Sequence, residues 1–175
     1  MPYTPTAWVE GVAPGISAAR LNNLETQYAE AMADARVIAI KAADETVNNS
    51  TVLQNDDELT LAVEANTLYL LNIILVTNSG ATPDFKFKIT LPAGATMYGR
   101  VEDPSPGVGF SPQQFTEATA SVAFAGTGSA YVTFIKAGVI IAGTAGNVTL
   151  QWAQNTAEVS DTKVLTGSSF VLMKA

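Results

Sequence analysis

The side chains in this sequence best equipped for chemistry are carboxylates. Asn55-Asp56-Asp57-Glu58 places four oxygen-bearing residues in a row, and Asp84, Glu102 and Asp103 stand beside glycine- or proline-containing segments. Paired carboxyl groups can cleave glycosidic bonds, one as acid and the other as base or nucleophile, and clustered hard oxygens suit Ca2+. Spacing singles out neither chemistry. No two of these acids form a privileged pair, and the 55–58 run lacks the glycine and the spaced carboxylates of an EF-hand loop, so it reads first as a hydrophilic turn leading into a strand. The chain has no histidine and no cysteine, which removes the imidazole base, the Ser-His-Asp arrangement and the thiolate nucleophile. Phosphate loops, dinucleotide fingerprints and metalloprotease helices are absent from the sequence. The expectation is a protein that is not an enzyme, with no catalytic residue, cofactor or metal.

Composition narrows the partners. In 175 residues, 47% are hydrophobic, 14% are charged and the net charge is -7; such a chain can bury a core of ordinary size, as one globular domain plus an appendage. An acidic surface without a Lys/Arg cluster is repelled by nucleic acid and by anionic membranes, and leaves basic protein surfaces as partners. Without disulfides, stability must come from packing, within the chain or between subunits. The N-terminus has no basic segment followed by an apolar one, and the most apolar stretch, 68–76, is interrupted by Asn72 and too short to span a bilayer. A soluble protein made without a signal and without membrane insertion is expected.

Three parts must position these groups: an extended docking arm over 1–16, an amphipathic helix over 17–36 and a β-sandwich head over 37–175. In the arm, Pro2, Pro5 and Pro14 remove backbone donors while Gly11 and Gly15 punctuate the chain, so its apolar residues need cover from elsewhere. Trp8, Val9, Pro14 and Ile16 are the docking candidates, with Trp8 as an anchor in a neighbour's pocket. Ser17 can cap the helix and Ile16 can staple onto Leu21. Leu21, Leu24, Tyr28, Ala31 and Ala35 then recur at alternating three- and four-residue spacing, a narrow heptad-like seam that either packs on the chain's own β domain or meets symmetry mates in a short bundle. In the second case Leu21, Leu24 and Tyr28 form the oligomer interface.

Beyond Val37 the period changes to two, interrupted by turn residues, which predicts an all-β domain of roughly eight strands in a jelly-roll-like antiparallel sandwich. Phe85 to Thr90 alternates aromatic or aliphatic residues with Lys and Thr, Val122 and Phe124 repeat the pattern, and Val148, Leu150 and Trp152 do so with Trp152 as a core residue. Two stretches, 68–76 and 131–142, are apolar on both faces and therefore need cover on both; the second face must meet either the N-terminal helix or another subunit, and self-association is the expectation. The long break 103–112 carries three prolines. It is either a connection between sheets or a receptor loop, with Asp103, Pro106 and Phe110 as contact candidates.

The run Trp8-x-x-Gly11-x-x-Pro14-Gly15-Ile16-x-Ala18-Ala19-x-Leu21-Asn22-x-x-Glu25 resembles the opening of small head-fibre, capsid decoration and tail-fibre proteins of tailed bacteriophages. Several later segments, in their order, resemble the β-rich head domains that follow such openings: Asp44 to Ser50, Leu53 to Leu59, Ala65 to Tyr69, Gly80 to Phe87 and Gly146 to Asn155. The resemblance implies a virion structural protein, a homotrimer, whose arm docks on the major capsid protein or another virion protein. It would be assembled in the host bacterial cytoplasm and displayed on the virion surface. Without shaft repeats between anchor and head, a capsid decoration or head-fibre role is expected; the alternative is a tail-fibre or tail-tip adhesin recognising a host-surface glycan or protein.

Overall fold

A computed structural model describes residues 18–34, 36–102, 113–141 and 143–175. The chain divides into two compact units, Met1–Arg36 and Val37–Ala175. In the first, α1 (Ala18–Asp34) is a helix of 17 residues. Thr26 returns its hydroxyl to the Asn22 carbonyl at 2.8 Å, a local bond that helices tolerate on exposed faces.

The second unit is two antiparallel sheets. The larger runs β1 (Arg36–Ile40), β12 (Ser169–Lys174), β4 (Thr67–Asn78), β9 (Ala130–Ile141), β6 (Thr96–Glu102), β7 (Gln113–Thr116), with β11 (Thr162–Val164) also on β4 and β2 (Glu45–Val47) on β11. The smaller runs β3 (Gln54–Val63), β10 (Gly146–Gln154), β5 (Phe85–Thr90), β8 (Val122–Phe124). Most successive strands alternate between the sheets, the habit that makes a sandwich jelly-roll-like. Among the described residues twelve strands form where about eight are expected from sequence. Three of the additional strands, β2, β7 and β11, have only three or four residues, too few for alternation to register.

The core lies between the sheets. Tyr69, Leu71, Ile73 and Leu75 of β4 and Ile135 and Val139 of β9 face Leu59, Leu61, Phe87, Ile89, Leu150 and Trp152 of the smaller sheet, and all are buried. Period-two alternation sends every second residue inward. Trp152 stacks on Phe85 with centroids 5.7 Å apart, Phe85 stacks on Phe124 at 5.0 Å, and Phe124 meets the edge of Tyr131 at 5.7 Å, arrangements that add to area burial. At the β6–β7 pair, Phe115 lies opposite Gly99 and its ring occupies the space a Cβ there would need. Gly99 is therefore required by packing.

Candidate interaction surfaces

The acidic run is structural. Asn55 to Glu58, expected as a turn, lies within β3, but the register between β3 and β10 shifts there: Gln151 pairs with Asn55 and Thr149 with Thr60. The turn chemistry survives as a bulge inside a strand. Asp56 Oδ1 accepts the N–H groups of Glu58 and Leu59 at 3.0 and 2.8 Å, and its Oδ2 accepts the Trp152 indole N–H at 3.2 Å. Into the bulge reaches Lys41, whose Nζ donates to Asp56 at 2.9 Å and Glu45 at 2.8 Å, with Glu58 at 3.7 Å. Glu45 also accepts from Gln54 and the Asp57 N–H, and Glu58 from the Ala42 and Ala43 N–H groups.

Lys41 is 1% exposed. Burial by itself would lower its pKa, but the hydrogen bonds and charges of Glu45 and Asp56 outweigh that and hold it above lysine's usual 10.5. The space a cation would fill holds an ammonium instead, and among the described residues no group of three or more His, Cys, Asp or Glu is arranged to hold a metal ion. Sequence reasoning missed Lys41. The signal was one cation closing the apolar run Val37-Ile38-Ala39-Ile40, with acids four and fifteen residues on.

Three other carboxylates also have partners. Asp84, at a positive φ of 51°, accepts the Gly126 N–H at 3.0 Å, and Glu102 lies 3.5 Å from Lys136. Asp44 accepts the Thr166 N–H and hydroxyl at 2.8 and 2.9 Å, bonds that hold its carboxyl below the usual range.

Among the described residues, two apolar surfaces remain uncovered. On α1, Leu21, Leu24 and Tyr28 are 50%, 58% and 70% exposed. On the larger sheet, the side of β4 and β9 turned away from the core carries Leu68, Leu70, Ile74, Phe134 and Ile140, each exposed by between 42% and 50%. A third feature is a groove of about 560 Å³ along β6 and β7, lined by Tyr98, Arg100, Gln114, Thr116 and Thr119 among others. Those strands flank segment 103–112, which contains the proposed receptor contacts Asp103, Pro106 and Phe110. Those three, and the docking candidates Trp8, Val9, Pro14 and Ile16, lie outside the described residues. Among the described residues no helix is long and apolar enough to cross a membrane.

No protein-family model matches the chain, and no curated protein matches it. Among solved structures, the chain is similar to one from infectious bursal disease virus, Gx strain, at 12% identity and a TM-score of 0.23, over 81% of this chain and 43% of that one. The chain thus spans less than half of the matched chain. The class defined by its own strands is an antiparallel β-sandwich with an N-terminal helix.

Proposed function

We propose that this chain is a non-enzymatic structural protein of a tailed-bacteriophage virion, a capsid decoration or head-fibre protein. In this reading it docks on the major capsid protein or another virion protein through its N-terminal arm, trimerises along α1 and displays the sandwich on the virion surface. The observation that carries the reading is α1: a 17-residue helix that precedes the strands in the sequence, with Leu21, Leu24 and Tyr28 at heptad-like spacing and half or more exposed in the single chain. Such a stripe is an association surface. Its action is adhesion by shape and apolar burial; of the carboxylates that could have carried chemistry, Asp56 and Glu58 hold backbone and Lys41, Asp84 holds the Gly126 N–H, and Glu102 pairs with Lys136.

The groove along β6 and β7 favours a second reading, a tail-fibre or tail-tip adhesin. An exposed Tyr98 beside Arg100 and Gln114 offers an aromatic face and hydrogen-bond donors to a host-surface glycan. Fold does not separate the two roles. Co-sedimentation with particles lacking the protein does. Saturable binding to capsids, lost when residues 1–15 are deleted, is the expected result. Binding to isolated tails or to host cells instead, or capsid binding indifferent to the deletion, overturns the decoration reading.

A further inference from the structure

The outward side of the larger sheet is a layered apolar surface. One cross-strand row contains Leu68, Ile140 and Thr96; the next contains Met173, Leu70, Gly138 and Tyr98; a polar row of Asn72, Lys136 and Arg100 follows, and then Ile74, Phe134 and Glu102. Ile38 and Ile40 on β1, either side of core-facing Ala39, extend the surface towards the sheet edge. A Cβ built on Gly138 would meet nothing within 4 Å, so that strand centre is an open notch between Leu70 and Tyr98.

We propose that this face is where the heads of separate copies of the chain meet. The inference deepens the reading of the protein as self-associating and rests on it. Size is the first argument. The exposed apolar side chains amount to on the order of 500 Å², the size of the largest patch on a typical chain (about 300–600 Å²), a patch that is often functional; in a closed ring this area is shared between two contacts.

Charge is the second. On β12, β4, β9 and β6 the charged side chains of this face are Arg100, Lys136 and Glu102, a balance of +1 in a chain of net charge -7. Acidic copies meet with least repulsion where acids are few and cations balance them. In a ring of three, the β1–β12 side of one head, with Ile38, Ile40 and Met173, packs against the β9–β6 side of the next, with Phe134, Ile140 and Tyr98. Two different patches on one face give the heterologous contact that a closed ring requires.

The test is sedimentation equilibrium of the full chain at tens of micromolar, with three variants. Gly138→Glu fills an open notch and leaves the core alone; Leu70→Asp/Ile140→Asp charges the apolar rows; Leu21→Asp/Leu24→Asp charges the helix stripe. A trimer for the wild type, and at least tenfold weaker association for both sheet variants with unchanged circular dichroism, is the expected result. A wild-type monomer overturns the inference, and would point to cover by the chain's own residues 1–17. Sheet variants that keep the wild-type mass also overturn it; if the helix variant alone dissociates, the helix reading stands and the sheet face fails. Dissociation by the sheet variants alone supports the sheet face and removes the helix stripe from the interface.

Discussion

The two sides of β4 are built from the same kinds of residue and meet different fates. Tyr69, Leu71, Ile73 and Leu75 are at most 3% exposed, whereas Leu68, Leu70 and Ile74, their immediate neighbours, are nearly half exposed. Hydropathy does not distinguish them; only the smaller sheet, stacked on one side, does. An apolar side chain is a core residue when something covers it and an interface residue when nothing in its own chain does.

The largest effect lies on the covered side, at the polar knot between the sheets. Replacing Lys41 with Ala leaves Asp56 buried without its cation, at a cost of about 3–5 kcal/mol, readable by urea denaturation at pH 7. Because the folded-state pKa of Lys41 lies above 10.5, its contribution is complete below that value and fades as pH rises through the folded pKa. The wild type should show this alkaline loss and Lys41→Ala should lack it; equal stability of the two at pH 7 would contradict the assignment.

The comparison on β4 itself is sharpened by adjacent residues. Ile73→Ala opens a cavity in the core and should cost about 2–5 kcal/mol. Ile74→Ala, one residue away, should cost less than about 1 kcal/mol in dilute solution, where copies are apart. A loss at Ile74 that grows with protein concentration identifies cover by another copy. A loss equal to that at Ile73 in dilute protein would mean the face is already covered within the chain.

The smallest effect has the opposite sign. Thr133 points inward from β9, and its buried hydroxyl has no hydrogen-bond partner among the described residues. Thr133→Val keeps the shape and removes an unsatisfied polar group, so it should raise stability by about 1 kcal/mol. The same denaturation curves check it, and a decrease would indicate a partner for that hydroxyl.

Much of the sandwich is legible in the sequence because alternation is a one-dimensional record of which side is covered. The strands over 85–90 and 146–154, and the burial of Trp152, follow from period two and flanking turn residues. The helix is legible from its three- and four-residue spacing, and so is the stripe formed by Leu21, Leu24 and Tyr28. The short strands β2, β7 and β11 are not: three or four residues hold too few repeats to define a period without an alternating pair of large apolar residues such as Val122 and Phe124, which marks the equally short β8. Nor is the strand character of Asn55 to Glu58, because a bulge carries the same residues as a turn.

What the sequence by itself determined is the set of elements, their apolar faces and the absence of imidazole and thiol chemistry, because these depend on residue type and local spacing. Tertiary structure alone decided which apolar face is core and which is open, and that Asp56, Glu45 and Glu58 surround Lys41. The physical reason is that burial and pairing depend on what arrives from distant parts of the chain: Asp56 meets Lys41 from fifteen residues away and Trp152 from ninety-six, separations that no local pattern records.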